Sequence, residues 1–133
     1  MNKITIALAD EDQTILNELQ KNFNDDNFEV IASTNNGEEL IKIILDKKPD
    51  VVIMDMILQG LDGFKVLEAV GKEKSKIIVQ SALSMDGFIN KAINLGAKYY
   101  CIKPFDVNTL KDRVNDVLNV DNGNTKVFFN AKT

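Results

Sequence analysis

The sequence has no histidine, a single cysteine and only two prolines. Without histidine the commonest general base is missing, so any chemistry must rest on carboxylates, hydroxyls and lysines. Cys101 has no second thiol to pair with, which excludes an internal disulfide and, with no histidine, a structural zinc site. No apolar run approaches the about 18 to 20 residues of a membrane span, and residues 4–9 are too short for a signal-peptide core. We therefore expect a cytoplasmic protein that has no membrane partner.

Excess positive charge is also missing. The 133 residues carry 16 Lys+Arg against 20 Asp+Glu, a formal net charge of −4. No general electrostatic attraction draws such a chain to nucleic acid, so we expect no direct nucleic-acid contact. The hydrophobic content of 44% is enough for one buried core and excludes a disordered chain.

Short apolar runs alternate with amphipathic segments along the chain. Five runs predict strands: Ile4–Leu8, Val30–Ala32, Val51–Met54, Ile77–Val79 and Tyr99–Ile102. Five segments with helical spacing predict helices: Ile15 to Phe23, Leu40 to Leu45, Phe64 to Val70, Phe88 to Ile93 and Leu110 to Leu118. Strict alternation predicts an α/β fold, a doubly wound parallel sheet with helices on both faces.

Residues 1–119 contain every predicted strand and helix, without a repeat or linker, and are predicted to form one domain. Residues 120–133 differ, because Asp121-Asn122-Gly123-Asn124 breaks the last helix and Val127-Phe128-Phe129 is the only apolar material that follows. This segment is interpreted as a tail, as a docked strand or helix, or as the start of a linker to an output domain that is not part of this sequence.

Polar side chains stand at four of the predicted strand ends. Asp10 and Glu11 follow the first strand, Asp55 follows the third, Ser81 follows the fourth and Lys103 follows the fifth. In doubly wound sheets, ligands bind beyond the carboxyl ends of the strands. Three acids brought together there would repel one another unless a cation shared the site, and Mg²⁺ favours oxygen ligands.

The same cluster is suited to phosphoryl transfer. An aspartate can attack phosphorus and form an acyl phosphate, while neighbouring groups position and neutralise the charge. Asp55 is the predicted nucleophile because it closes the central, most buried strand. Asp10 and Glu11 share one loop and are predicted metal ligands, and Lys103 adds a fixed positive charge.

Each of these residues also has an ordinary structural explanation. Asp12 is predicted to cap the helix that follows it, and Ser81 taken alone would cap the next helix. Lys103 alone would be a solvated surface charge, and Tyr100 alone would be a core residue. It is the conjunction of these residue types at matching strand ends, in this order, that favours a functional site.

Over residues 3–119 the chain resembles the receiver domain of two-component response regulators. The resemblance rests on four stretches: Asp10-Glu11, Val52 to Gly63 around Asp55, Ser81-Ala82, and Leu95 to Phe105 with Lys103-Pro104. It implies a flavodoxin-like sheet of five parallel strands in the order 2-1-3-4-5, with five helices.

The resemblance also implies roles for the site residues. Mg²⁺ would be held by Asp10, Glu11, Asp55 and the backbone carbonyl of Ile57. Asp55 would accept the phosphoryl group, Ser81 would bond it and Lys103 would pair with it.

Tyr100 holds the family's aromatic switch position, three residues before the lysine, and the Lys103-Pro104 bond is expected to be cis. Gln59 departs from the pattern, since many receivers have proline there, which leaves the shape of the loop after Asp55 open.

The implied function is a phosphoacceptor in a two-component system or phosphorelay. Its partner would be a sensor histidine kinase or a histidine phosphotransfer protein, and phosphorylation would favour a homodimer. Rather than acting as a conventional enzyme, it would catalyse its own phosphorylation. Autodephosphorylation is expected to be slow, because Ile57 and Leu83 are apolar and cannot orient an attacking water.

Several stretches, including Ala9 to Asp12 and Ala92 to Asp106, look like receivers of sporulation regulators in endospore-forming bacteria, whose output domain binds DNA. The alternatives are a stand-alone receiver, a phosphorelay intermediate, or a degenerate receiver that only makes protein contacts.

Two other classes fit less well. A flavodoxin-like mononucleotide binder needs a hydroxyl- or glycine-rich loop after its first strand, where Asp10-Glu11-Asp12 would repel phosphate. An aspartate-based phosphatase commonly has a second acid two residues after its nucleophile, and that position is Ile57.

Overall fold

Strands and helices alternate along the chain, as the apolar pattern predicts. The structure, a computed structural model, describes residues 2–119 and the backbone of residues 126–128. The strands are β1 (Ile4–Ala9), β2 (Phe28–Thr34), β3 (Val51–Met54), β4 (Lys76–Ser81), β5 (Tyr99–Ile102) and β6 (Lys126–Phe128). The helices are α1 (Gln13–Asn22), α2 (Gly37–Lys47), α3 (Gly63–Val70), α4 (Asp86–Asn94) and α5 (Val107–Val117).

All the strands pair in parallel in one sheet, in the order β2-β1-β3-β4-β5-β6. The expected order 2-1-3-4-5 is therefore confirmed for the first five strands. From β1 the chain moves outward to β2, then crosses back to β3 on the other side of β1. This reversal of direction leaves a crevice at the carboxyl ends of β1 and β3.

A sixth strand, β6, extends the predicted five-stranded sheet beyond β5. Lys126–Phe128 pairs in parallel with β5, and Tyr99, Tyr100 and Cys101 are the partners on that strand. Three residues are too few for a period-two pattern to stand out in the sequence. The predicted tail or linker at 120–133 otherwise lies outside the described residues.

The sheet is buried on both faces, and β3 shows this most clearly. Val51 and Ile53 face the core that α1 and α5 cover, while Val52 and Met54 face the core beneath α2, α3 and α4. All four side chains are at most 1% exposed. The burial on both faces predicted from the apolar character of this strand is confirmed, and the residue that follows β3 emerges in the centre of the sheet edge.

Four of the five helices that the structure describes begin directly after a residue whose side chain caps the first turn. Asp12, Asn36, Asp62 and Asp106 each accept a hydrogen bond from a backbone N–H in the first turn of α1, α2, α3 and α5. The predicted cap at Asp12 is confirmed. The helices are 8 to 11 residues long, and none within the described part of the chain is long and apolar enough to cross a membrane.

The turn between α4 and β5 requires glycine at Gly96. Its φ angle is +123°, and an added Cβ would collide with the carbonyl oxygen of Gly71. Gly96→Ala is therefore expected to lower the free energy of unfolding by about 2–3 kcal/mol, measured by urea denaturation, because both the backbone conformation and the close approach oppose a side chain.

Gly87→Ala is the matched control. Gly87 lies in α4, and a Cβ added there would meet nothing within 4 Å. This variant is expected to be as stable as the wild type or more stable by up to about 1 kcal/mol. A Gly96→Ala protein with wild-type stability would show that the turn relaxes without cost.

Candidate functional site

Two carboxylates and one ammonium group meet at the crevice between β1 and β3. Asp10 directly follows β1, Asp55 directly follows β3 and Lys103 directly follows β5. The Nζ atom of Lys103 lies 2.8 Å from Oδ2 of Asp10 and 2.6 Å from Oδ2 of Asp55. Asp10 is 3% exposed and Asp55 is 6% exposed. One cation therefore bridges two nearly buried anions that come from distant parts of the chain.

Backbone groups hold the second oxygen of each carboxylate. The N–H of Asp12 donates to Oδ1 of Asp10 at 2.9 Å, and the N–H of Ile57 donates to Oδ1 of Asp55 at 3.2 Å. The N–H of Asp55 donates to the carbonyl of Ala9 at 2.9 Å, which continues the pairing of β1 with β3 past the end of the sheet. These bonds fix the direction in which both carboxylates point.

Lys103 is held both by its backbone and by its charge. Its N–H donates to the carbonyl of Ser81 at 2.8 Å, and its peptide bond to Pro104 is cis. Burial alone would lower the pKa of Lys103, but the hydrogen bonds and negative charges of Asp10 and Asp55 outweigh it and leave the pKa above its usual value. The ammonium group therefore stays charged at neutral pH.

Of the acids expected to bind a metal, the structure brings together only Asp10 and Asp55. Glu11 is exposed, and residues 2–119 contain no cluster of three acidic, histidine or cysteine side chains able to hold a metal ion. The two buried carboxylates still carry one more negative charge than Lys103 offsets. Carboxylate oxygens with this excess charge are the donors that Mg²⁺ prefers, so the chemistry of the two residues fits that ion.

Ser81 is the last residue of β4 and Tyr100 lies on β5, and both side chains are fully buried. Ser81 does not cap α4, which begins after Met85, but accepts a hydrogen bond at Oγ from the N–H of Leu83 at 3.2 Å. The phenol of Tyr100 donates to the carbonyl of Leu83 at 2.7 Å. The backbone of Leu83 is thus held from both sides, by Ser81 and by Tyr100.

The pKa of Tyr100 reflects its surroundings. Burial raises this pKa, a hydrogen bond with Ser81 lowers it, and the negative charge of Asp55 raises it further, so that the net shift is upward. The phenol therefore senses both Ser81 and Asp55. Tyr100, at the position that resembles the family's aromatic switch, is fully buried.

The loop after Asp55 is anchored at Gln59 by Asn36 and Gly37, two residues that were not predicted from the sequence. Gln59 forms a parallel bridge with Asn36, and its carbonyl accepts a hydrogen bond from the N–H of Gly37 at 2.9 Å. Gly60 follows with a positive φ of +76°. The backbone of Gln59 therefore ties this loop to the start of α2. The Asn36-Gly37 pair before an amphipathic segment was the sequence signal for this contact.

Comparison with known proteins agrees with this geometry. A family model described as the response regulator receiver domain matches residues 6–115. The chain is similar in structure to the response regulator domain of Thermotoga maritima CheB, with a TM-score of 0.82 and 22% identity over 90% of this chain and 99% of that chain. It is also similar to the signal receiver domain of NarL from Mycobacterium tuberculosis, with a TM-score of 0.85 and 18% identity over 91% of this chain and 100% of that chain.

A further similar structure is a DNA-binding response regulator of the LuxR family from Staphylococcus aureus. It has a TM-score of 0.79 and 26% identity over 86% of this chain and 98% of that chain. These structures share the fold, and the family model covers most of the chain, from β1 into α5. The chain therefore belongs to the response regulator receiver domain family.

Proposed function

We propose that this receiver domain of a two-component system accepts a phosphoryl group on Asp55. The observation that supports this most directly is the contact of 2.6 Å between the Asp55 carboxylate and Lys103, beside Asp10 at the crevice. The bridging ammonium group places a positive charge directly against this nearly buried nucleophile. Its second oxygen is oriented by the N–H of Ile57.

The donor is a phosphohistidine on a sensor histidine kinase or a histidine phosphotransfer protein. An oxygen of Asp55 attacks phosphorus, the P–N bond breaks, and its electron pair remains on the imidazole nitrogen. The product is an acyl phosphate on Asp55. Because phosphoryl transfer depends mostly on positioning and charge, Lys103 needs only to shift its contact from the carboxylate to the phosphoryl oxygens.

Asp10, Glu11, Asp55 and the backbone carbonyl of Ile57 are proposed to hold Mg²⁺. When bound, this ion would supply positive charge to the phosphoryl oxygens. Asp10 and Asp55 are oxygen donors with excess negative charge, which supports their part in the set. Glu11 is exposed and follows Asp10 directly, so its part is the one that most needs a test.

Ser81 and Tyr100 are proposed to transmit the change. A phosphoryl group on Asp55 would accept a hydrogen bond from the Ser81 hydroxyl, drawing the Ser81 to Leu83 segment inward. Tyr100 bonds the Leu83 carbonyl, so its inward position and the position of this segment depend on each other. The switch is proposed to be a shift between two populations of the same fold, of which the described conformation has Tyr100 buried.

The output is proposed to be transcription regulation in sporulation, through a DNA-binding domain to which residues 120–133 would lead. The support is the sequence resemblance, together with the similarity to a DNA-binding response regulator of the LuxR family. A stand-alone receiver or phosphorelay intermediate would use the same Asp55 chemistry. The proposed homodimer on phosphorylation rests on the same resemblance.

Incubation with Mg²⁺ and acetyl phosphate tests the acceptor. Intact-mass measurement is expected to show one added phosphoryl group on the wild type, because Asp55 is charged, oriented and next to Lys103. Asp55→Asn is expected to gain none, and Asp46→Asn, which removes an exposed acid of α2, is expected to react like the wild type. No adduct on the wild type would favour a degenerate receiver, and an adduct on Asp55→Asn would place the nucleophile elsewhere.

The lifetime of the acyl phosphate depends on Ile57. This side chain is apolar and 43% exposed beside Asp55, so it cannot orient a water for attack. Ile57→Asn is expected to shorten the half-life by up to roughly tenfold, which corresponds to about 1.4 kcal/mol in the hydrolysis barrier. Half-lives are measured by the decay of the phosphorylated mass after acetyl phosphate is removed.

Leu45→Asn is the control for Ile57→Asn, because Leu45 is 46% exposed on α2, remote from the crevice. It is expected to leave the half-life unchanged. A half-life in Ile57→Asn equal to or longer than that of the wild type would contradict the proposed role of Ile57 in slowing hydrolysis. It would not change the assignment of Asp55 as the acceptor.

Magnesium affinity tests the role of Glu11. Isothermal titration calorimetry suits this protein, since it contains no tryptophan to report binding by fluorescence. Glu11→Gln is expected to weaken Mg²⁺ binding because it removes one charged ligand, while Glu38→Gln, at an exposed acid of α2, is expected to leave binding unchanged. If Glu11→Gln binds Mg²⁺ as tightly as the wild type, Glu11 does not ligate the ion.

A further inference from the structure

A cavity of about 350 Å³ lies between α1 and the start of α5, on the face of the sheet that these helices cover. Ile15 and Leu19 of α1 line one wall, and Phe105 and Leu110 line the other. The cavity is open to solvent at one side. Its volume falls in the range of pockets that bind small molecules, and its walls are largely apolar.

Gln80 contributes the one amide side chain among the residues that line this cavity. It lies next to the last residue of β4 and is 8% exposed. The side chain faces α1 and α5, since Ile78, two residues earlier, and Cys101, its partner on β5, belong to the core on that side. Its Oε1 atom is buried and has no hydrogen-bond partner among the residues that the structure describes.

A buried acceptor without a donor is costly, because it has lost its hydrogen bond to water and gained none. The charged groups that line the cavity do not offer that donor. Glu18 carries only acceptors, and the ammonium group of Lys103 is held at Asp10 and Asp55 and makes no hydrogen bond to Gln80 Oε1. The site is thus apolar, with one unsatisfied acceptor at its base.

We propose that this cavity binds a small, neutral, largely apolar molecule that carries one N–H or O–H donor. Apolar parts of the ligand pack between Ile15 and Leu19 on one side and Phe105 and Leu110 on the other. The donor bonds to Oε1 of Gln80. An anion is disfavoured, because Lys103 is already shared by two carboxylates and Glu18 would repel it. A cation is disfavoured because burial against the apolar walls would remove its hydration.

Indole and benzofuran are suitable probes. The two molecules have nearly the same shape, but only indole has an N–H donor. Titration of the full chain is followed by two-dimensional ¹H–¹⁵N NMR, with resonances of residues around the cavity as the readout. Indole is expected to give saturable shifts there and to bind about five- to tenfold more tightly than benzofuran, the contribution of one buried hydrogen bond.

Gln80→Met removes the acceptor with little change in volume and is expected to abolish the preference for indole. Gln20→Met, on the exposed side of α1, is the control and is expected to retain it. Equal affinities of the two probes for the wild type would overturn the proposal even if Gln80→Met failed to fold. So would a preference that survives in Gln80→Met, or indole shifts that do not saturate or that lie away from the cavity.

Discussion

The site depends on one cation shared by two anions. Asp10 and Asp55 are both nearly buried, and each would be unstable as a carboxylate without a positive partner. Lys103 provides that partner at 2.8 Å and 2.6 Å. Because the three residues follow three different strands, the ion pairs also link the carboxyl ends of β1, β3 and β5. The chemistry of the crevice and the alignment of the strands are therefore maintained by the same contacts.

The sheet topology explains why these residues meet. β1 and β3 are neighbours, and the bond from the N–H of Asp55 to the carbonyl of Ala9 continues their pairing to the last residue before the crevice. β4 separates β3 from β5, so the long side chain of Lys103 must reach across the end of β4. The backbone N–H of Lys103 donates to the carbonyl of Ser81 at the end of β4. This bond fixes the position from which the Lys103 side chain extends.

Much of this architecture could be predicted from local patterns. Val51–Met54 was predicted with the bounds observed, because a run buried on both faces is uniformly apolar. β4 extends from Lys76 to Ser81, beyond the predicted Ile77–Val79, since Gln80 is polar although it is buried. Polarity marks a strand end only when the polar side chain is exposed.

The sequence predicts which residues belong to the candidate site better than it predicts how their side chains are arranged. The rule that parallel strands end at one edge, together with the family resemblance, singled out Asp10, Asp55 and Lys103. The same reasoning also placed Glu11 in the site, but Glu11 is exposed. In an irregular loop, the sequence does not determine which of two adjacent acidic side chains points into the crevice. The unsatisfied acceptor of Gln80 depends on which groups surround it in space, which no sequence pattern records.

The sixth strand changes where the sheet ends. In a five-stranded sheet, β5 would leave a row of backbone N–H and C=O groups open to pairing with another chain. Here β5 is hydrogen-bonded on both sides, to β4 and to β6. The outermost strand within the described residues is instead β6. Residues 126–128 therefore cover the backbone edge that β5 would otherwise present to another chain.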